Sequence, residues 1–443
     1  MNRKRWLSKL TTLVLCMILT VVMTACGSGS GSSSSGGQGG TSGSAQTSGS
    51  GQTSGSQGGS GQSSGTQSET IKIGAPFPLT GAWAEGGQNS LNGVELGIED
   101  INAAGGIQAL GGAKLELVSA DTGSSDPNQA ASVTRRLVEE KVSALIGSYV
   151  SAFSLTATTE AEKAKIPMIT QSFVDSLTER GYKYTFQIPP KSSAFGTNSV
   201  TYMVELIEQN NLGIKKVAFV ANNDANSIGS IESGQKAAQE AGMEVVLTET
   251  FPPGITDATP IITKIRNTQP ELIFMAGVLQ DQILIIRAMR SQGIEAPVVG
   301  MGGGGFLGKG FAEALGEYSD YAFSLAAWNW DLKYPGVEDV NKRYMERYNA
   351  PFMPQEAGES YIAAWLIKEA IEAAGSADPE KIREQLSSLN FDTGAGAMMT
   401  GGKVKFDETG MNAGVYPVMI EWLNGLPHTV WPANEKVMDA VLK

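Results

Sequence analysis

The stretch ALIGSYVSAFSLTATTEAEKAKIPMIT, residues 144–170, decides the fold class. Its apolar start at 144–147 predicts a short buried strand, and a second such strand is predicted at 166–169. The residues between them predict a helix over 152–164. A strand, a helix and a further strand in this order imply a parallel sheet with helices on its faces.

The same alternation extends from this stretch toward both ends of the chain. Strands are predicted at 71–74 and 115–118, and Asp126-Pro127 is a good N-cap and first-turn pair for the helix that follows. A second run of similar size begins after Pro189-Pro190. Its predicted strands are 217–220, 245–247, 272–275 and 298–299, and its helices lie near 197–210, 229–241, 259–267 and 280–291. Two such units are more than one sheet usually holds, so we expect an α/β fold with two doubly wound lobes and a cleft between them. Such sheets bind ligands beyond the carboxyl ends of their strands.

The N-terminal segment predicts export and anchoring. Residues 1–25 combine a basic start, an apolar uncharged run and small residues before Cys26, which is typical of a signal peptide. This segment also resembles the bacterial lipoprotein signal, in which cleavage exposes a cysteine for lipidation; ordinary cleavage with a free thiol is the alternative. Residues 26–70 read as a lipid-anchored, disordered linker, since 27–68 hold 15 Gly and 16 Ser and no charge. The expected location is the outer face of the bacterial cytoplasmic membrane.

The composition excludes several classes of function. The formal net charge is −12 and no strong basic patch is present, so no nucleic-acid partner is expected. The chain has two cysteines, Cys16 inside the predicted signal peptide and Cys26, and one histidine, His428. These leave little for a zinc site or a Ser-His-Asp triad, and neither a metal nor a cofactor is expected. An extracytoplasmic hydrolase is only a remote alternative, and the protein is predicted not to be an enzyme.

Six short motifs follow one another along the first lobe. The motifs are Ile71-Lys-Ile-Gly-Ala, Leu79-Thr-Gly81, Asn92-Gly93, Asp100-Ile-Asn-Ala-Ala-Gly-Gly-Ile107, Asp126-Pro127 and Ile166-Pro-Met-Ile-Thr170. Their order and spacing resemble the branched-chain amino-acid (Leu/Ile/Val) binding proteins of ABC importers. The resemblance to this family continues through 177–182 and covers essentially all of 71–443.

The resemblance implies a type I periplasmic-binding-protein fold with a three-crossover hinge. Lobe I is expected at 71–188 plus 325–412, and lobe II at 189–324 plus 413–443. Such a protein, acting as a monomer, captures a small polar solute by hinge closure and presents it to the membrane subunits of an ABC permease. The expected solute is an amino acid, foremost a branched-chain or aliphatic one, or a related small carboxylate or amide. A ligand-sensing receptor domain of the same fold, feeding a signalling partner, is the alternative.

The candidate site in lobe I follows the strands at 144–147 and 166–169. Ser151 opens a helix whose free N–H groups, with the hydroxyl, suit a carboxylate, and Tyr149 lies in the turn before it. A plain N-cap role is the alternative for Ser151, whereas the resemblance implies contact with a carboxylate. It also implies contacts from the next loop, which holds Ser172, Phe173 and Val174, with Val174 where Thr or Ser is common. Three alternatives stay open there: Ser172 supplies the hydroxyl, Asp175 adds an acidic acceptor, or both are simple turn residues.

The candidate site in lobe II departs from the family. Ser227 stands where the resemblance implies a Tyr, and Leu279 where aromatic contacts are frequent. Gly302 stands where amino-acid binders carry an acid that pairs with the substrate ammonium. Three aspartates are candidates to replace that acid: Asp175, Asp224 and Asp281.

Aromatic residues at loop ends are expected to line the pocket. Trp83 lies in the loop after the first strand, and Trp328 follows a strand predicted at 322–327. Both are expected to contact the ligand, although a Trp in a strand is ordinarily part of the core. Trp330 fits either role, and Tyr361 is expected to pack.

Overall fold

The computed structural model describes residues 70–302 and 306–442. The predicted signal peptide, the lipidation site Cys26 and the linker up to residue 69 lie outside the described residues. The described part confirms the predicted fold class: parallel sheets flanked by helices form two lobes.

Lobe I is built on a five-stranded sheet in which every strand is parallel to its neighbours, in the order β2-β1-β3-β4-β5. Its elements up to residue 187 are β1 (Ile71–Phe77), α1 (Ala84–Ala103), β2 (Leu115–Asp121), α2 (Pro127–Glu139), β3 (Ala144–Ile146), α3 (Ser151–Ala164), β4 (Met168–Thr170) and β5 (Thr185–Gln187).

Lobe II is built on a seven-stranded sheet in the order β12-β11-β10-β9-β8-β6-β7. Its elements are α4 (Ser192–Gln209), β6 (Lys216–Asn222), α5 (Ala225–Glu240), β7 (Glu244–Phe251), α6 (Thr259–Thr268), β8 (Leu272–Ala276), α7 (Leu279–Ser291), β9 (Val298–Gly300), α8 (Lys309–Leu315), β10 (Phe323–Ala326), β11 (Val418–Leu423) and β12 (Leu426–Trp431).

Three late helices return to lobe I: α9 (Val337–Tyr348), α10 (Gln355–Ala374) and α11 (Pro379–Ser388). The helix α10 packs along α1 and against β3 and α11, and α9 also contacts α1. The chain thus passes between the lobes three times, after β5, after β10 and before β11, where Met411 still pairs with Gln187 of β5. The residue limits of the lobes given above stay a prediction.

One edge of the lobe II sheet differs from the expected all-parallel pattern. β11 runs antiparallel to β10, and β12 runs antiparallel to β11. The two-residue turn between β11 and β12 is Asn424-Gly425, and both residues have positive φ, 53° and 78°. Asn and Gly tolerate this left-handed backbone, which is why the hairpin closes there.

Acidic N-caps fix the starts of several helices. Asp126 caps α2 by accepting a hydrogen bond from the N–H of Asn128 at 2.9 Å, as the sequence predicts. Asp378 followed by a proline caps α11 in the same way, and Asp224 caps α5. Within 70–302 and 306–442, no helix is both long and apolar enough to cross a bilayer.

Candidate functional site

A cavity of about 660 Å³ lies where the carboxyl ends of the parallel strands of both lobes meet. Lobe I contributes the loops after β1, β2, β3 and β4 together with the start of α10. Lobe II contributes the loops after β6, β7 and β8. The volume is typical of a small-molecule site, and the position is the one that open α/β sheets use for ligands.

The start of α3 presents unpaired donors to this cavity. Val150, and not Ser151, is the N-cap; its carbonyl accepts the N–H groups of Phe153 and Ser154. In the part of the chain that the structure describes, the Ser151 hydroxyl and the N–H groups of Ser151 and Ala152 have no hydrogen-bond partner. Ser151 and Ala152 line the cavity, so three donors on the positive end of a 14-residue helix are available for an anion.

Hydroxyl groups behind the cavity hold the loop that leads into α3. The carbonyl of Ser148 accepts hydrogen bonds from the hydroxyls of Ser154 and Thr170, both at 2.7 Å, and of Ser172 at 3.1 Å. Ser172 also donates to the carbonyl of Tyr149 at 2.9 Å. Ser172 is fully buried and does not line the cavity. Its hydroxyl therefore positions the loop instead of facing the cavity as the sequence predicts.

Aromatic side chains form the apolar wall of lobe I. The Tyr149 hydroxyl donates to the carbonyl of Trp83 at 2.7 Å, and the two rings meet edge to face with centroids 6.3 Å apart. Phe173 lies on another part of the wall and packs against Phe195, with centroids 4.6 Å apart. Burial raises the pKa of Tyr149 well above its ordinary value, so its hydroxyl stays a donor at neutral pH. Trp83, Tyr149 and Phe173 are placed on the cavity as predicted.

The lobe II wall holds two aspartates whose oxygens are already engaged. Asp224 accepts the N–H groups of Asn226 and Ser227, each at 3.1 Å, and the Ser227 hydroxyl at 2.6 Å. Asp281 accepts Nδ2 of Asn222 at 2.8 Å and the N–H of Gly254 at 2.9 Å. Ser227 thus lines the cavity as predicted, with its hydroxyl committed to Asp224.

The third aspartate considered from the sequence lies away from the cavity. Asp175 accepts the backbone N–H of Ser193 at 3.1 Å, and its other oxygen accepts the Ser193 hydroxyl. Asp175 does not line the cavity. Its contacts fix the crossing from β5 to α4, since Ser193 stands in the first turn of α4.

The first turn of α10 brings two glutamates to the cavity that the sequence analysis missed. Glu356 and Glu359 line it, and Glu359 is 0 % exposed. Neither oxygen of Glu359, nor Oε2 of Glu356, has a hydrogen-bond partner among the described residues. Burial raises the pKa of Glu356 to about 7. Burial, with a smaller contribution from the charge of Glu356, raises the pKa of Glu359 well above its ordinary value.

A pattern in the sequence could have revealed these two acids. Glu356 and Glu359 fall at the 3- and 4-residue spacing of the buried residues that follow on the same helix face: Ala363, Leu366 and Ala370. Acidic residues in register with an apolar stripe are buried with it unless the helix end is free. Tyr361, which is expected to pack, is the one residue of this helix that we considered from the sequence.

Five of the ten predicted binding residues line the cavity, and five do not. Besides Ser172, the residues outside its wall are Val174, Leu279, Gly302 and Trp328. Val174 is the N-cap of a short 3₁₀ helix at Asp175–Thr178, and Leu279 begins α7 with its side chain packed against the core.

Gly302 and Trp328 are closed off from the cavity for different reasons. Gly302 has φ +82°, and a Cβ placed there would collide with the ring of Phe195, so no acidic side chain fits. Trp328 is buried in the core, and its Nε1 donates to the carbonyl of Met398 at 3.1 Å. The ring also packs on Gly358 of α10, where a Cβ would collide with it. The ring therefore anchors α10 and does not form the cavity wall.

The sequence model of the family described as "Periplasmic binding protein" matches residues 70–419. The chain belongs to this family. Its members are solute-binding proteins that work outside the cytoplasm, which confirms the resemblance drawn from the motifs. No group of three or more His, Cys, Asp or Glu suited to a metal occurs in the described part of this periplasmic binding protein.

Relatives with assigned names point in one direction. The chain is 27 % identical over 383 residues to "Leu/Ile/Val-binding protein homolog 8" of Brucella melitensis, covering 83 % of this chain and 92 % of that protein. It is 26 % identical over 376 residues to "Leu/Ile/Val-binding protein homolog 7" of the same organism, covering 82 % and 92 %.

Solved structures agree on the fold. The branched-chain amino acid transporter substrate-binding protein LivJ of Streptococcus pneumoniae, in complex with isoleucine, has a TM-score of 0.72 and 28 % identity, covering 81 % of this chain and 98 % of LivJ. The leucine-binding protein LivK of Thermotoga maritima has a TM-score of 0.71 and 25 % identity, covering 82 % and 98 %. This periplasmic binding protein therefore shares its architecture with these two binding proteins over nearly their whole length.

Proposed function

We propose that the protein is the solute-binding component of an ABC importer and that it captures an aliphatic amino acid in the interlobe cavity. The observation that carries this proposal is the start of α3, where the N–H groups of Ser151 and Ala152 and the Ser151 hydroxyl stand free on the cavity wall. These donors are placed to hold a carboxylate at the positive end of the helix. Relatives named for Leu, Ile and Val binding, and a neighbour solved with isoleucine, support the choice of solute.

The apolar wall is placed to receive the aliphatic side chain. Trp83, Tyr149 and Phe173 line the cavity in lobe I, and Val278 lines it in lobe II. Burying an aliphatic side chain against them contributes roughly 1.5–3 kcal/mol to binding. Closure of the lobes around the solute excludes water and strengthens the hydrogen bonds to the carboxylate.

The N-terminal sequence supports a lipid anchor for this receptor. In the proposal, Cys26 carries the lipid, and the Gly/Ser-rich residues 27–68 tether the binding domain to the membrane. Lipidation is checked by mass spectrometry of the intact protein and of a Cys26→Ala variant, which is expected to be released in unlipidated form.

Calorimetric titration of the intact protein with leucine, isoleucine and valine tests the proposed solute. We expect at least one of the three to bind with one-to-one stoichiometry, while glucose, as an uncharged control, does not. Binding of none of the three by folded protein would overturn the assignment. Co-purification of the protein with the membrane subunits of an ABC permease would support the importer role. Co-purification with a signalling partner instead would support the sensing role.

A further inference from the structure

The floor of the cavity contains carboxyl groups that the protein itself leaves unmatched. Glu359 is closed off from bulk solvent, lines the cavity, and has no hydrogen-bond partner for either oxygen among the described residues. A carboxyl in that position costs several kcal/mol unless a partner is supplied. Glu356 lies three residues earlier, on the same side of α10, and its Oε2 also has no hydrogen-bond partner among the described residues.

Among the described residues, one further unpartnered acceptor lies on the cavity wall, and no cationic side chain forms an ion pair with either acid. Oε1 of Gln171 is also buried on the cavity wall without a partner, while its Nε2 donates to the Ser360 hydroxyl at 3.0 Å. In the part of the chain that the structure describes, no ion pair includes Glu356 or Glu359. Four acceptor oxygens on three side chains are therefore free to accept hydrogen bonds from a ligand: both oxygens of Glu359, Oε2 of Glu356 and Oε1 of Gln171.

Two buried carboxyl groups that gain charge when they ionise select a positively charged donor. An ammonium group brings three N–H donors and a full charge, whereas a neutral amide brings fewer donors and no charge. Burial opposes ionisation of both glutamates in the empty cavity, and the charge of Glu356 adds a smaller opposition at Glu359; a cation between them favours ionisation. Asp224 and Asp281 are weaker candidates for this role, because both oxygens of each already accept hydrogen bonds from the protein.

We propose that Glu359 and Glu356 of α10 form the cation-binding end of the cavity and take the ammonium group of the solute. This inference rests on the proposed function, since it assigns the second charged group of an amino acid whose carboxylate lies at the start of α3. Both charged ends of the solute are then bound by lobe I, and lobe II closes over them. Gly302 of lobe II has no room for an acid, so the charge partner comes from α10.

The experiment is a calorimetric titration of the intact protein with probes that share one shape but differ in charge. Leucine carries both charges, 3-methylbutylamine only the ammonium, and 4-methylpentanoate only the carboxylate; arginine is added as a larger cation. The variants are Glu359→Gln and the double variant Glu356→Gln/Glu359→Gln. Glu421→Gln is the matched control, because Glu421 is also a buried glutamate with an unpartnered oxygen but lies on β11, away from the cavity.

We expect Glu359→Gln to weaken the probes that carry an ammonium by at least roughly tenfold and the double variant to weaken them further. Binding of 4-methylpentanoate stays equal or tightens in both variants, and the control variant binds every probe like the parent protein. Thermal melting of each variant without ligand verifies folding; for Glu359→Gln we expect no loss of stability, because neither oxygen of Glu359 has a hydrogen bond to lose.

Two results overturn the inference: the probes that carry an ammonium bind the parent and the double variant equally well, or none of these probes binds at all. If leucine binds both proteins equally well, the inference fails but the proposed function still stands. Conversely, Glu359-dependent binding of 3-methylbutylamine or arginine without binding of leucine, isoleucine or valine supports the cation site and overturns the proposed solute.

Discussion

The carboxylate of Glu85 in α1 accepts a hydrogen bond from the backbone N–H of Gly310 in α8, at 3.1 Å, and so joins lobe I to lobe II. Gly308 and Gly310 both lie so close to this carboxylate that a Cβ at either position would crowd it. Gly308 and Gly310 therefore let the start of α8 approach an acid of the opposite lobe. Such a bond stabilises the arrangement of the lobes in which α1 and α8 are in contact.

Removing the Glu85 carboxylate is expected to weaken ligand binding, although Glu85 does not line the cavity. For Glu85→Ala we expect leucine affinity to fall by about 1 kcal/mol, roughly fivefold, mainly through faster dissociation. Glu85→Gln keeps an acceptor and is expected to lie between the parent and the alanine variant. Stopped-flow tryptophan fluorescence measures the rates. Glu313→Ala, which removes only the exposed partner of Lys309, is the control; equal dissociation rates in all variants would contradict the closure role.

The Ser151 hydroxyl separates an anion site from a simple helix start. Because Val150 is the N-cap, Ser151→Ala removes no cap and is expected to leave the free energy of unfolding nearly unchanged. Affinity for leucine and 4-methylpentanoate should fall by about 1–3 kcal/mol, whereas affinity for 3-methylbutylamine stays the same. Calorimetry of the three ligands checks this. Unchanged affinity for both carboxylates with unchanged folding would show that the hydroxyl is not a ligand contact.

The steric exclusion at Gly302 also leads to a measurable expectation. Gly302→Glu places a side chain on a backbone with φ +82° and against Phe195, which packs on Phe173 of the cavity wall. We expect the free energy of unfolding to fall by about 1–3 kcal/mol and leucine affinity not to rise. Urea denaturation and calorimetry measure the two effects. Gly213→Ala, with open space around it and no positive φ, is the matched control; a Gly302→Glu protein of parental stability that binds leucine more tightly would reverse the conclusion.

The fold was largely predictable because periodicity and caps determine it locally. The alternation around residues 144–170 predicts β3, α3 and β4, and Asp126-Pro127 predicts the start of α2, as the structure confirms. The hairpin of β11 and β12 was missed although Asn424-Gly425 between alternating apolar residues is a hairpin signal. Its antiparallel edge does not follow from the βα cadence, since the chain reaches that edge only after the third crossing between the lobes.

The site was predictable only where strand ends determine it. Trp83, Tyr149 and Ser151 follow the carboxyl ends of strands, and topology brings such ends together. The spacing of Glu356 and Glu359 along α10 indicates that they are buried. Their place on the cavity comes from the packing of that helix against α1 and β3, which no local pattern encodes. Ser172 shows the complementary error: it lies at a strand end, but its hydroxyl points to carbonyls behind the loop, because Ser148 and Tyr149 there need donors.

The raised pKa of Glu356 makes stability depend on pH. Burial, with a smaller contribution from the charge of Glu85, raises this pKa from an ordinary 4.5 to about 7. Below pH 4.5 the carboxyl is protonated in both states, and its full contribution to the free energy of unfolding is present. Between 4.5 and 7 only the unfolded chain loses the proton, so that contribution, up to about 3 kcal/mol, is lost as the pH rises.

Glu356→Gln cannot ionise and is expected to reduce this decline in the free energy of unfolding with rising pH. The variant Glu313→Gln, at an exposed position, is expected to keep the decline. Urea denaturation at pH 5 and pH 8 measures the difference, and an equal decline in the parent and Glu356→Gln would mean that Glu356 ionises normally in the folded protein.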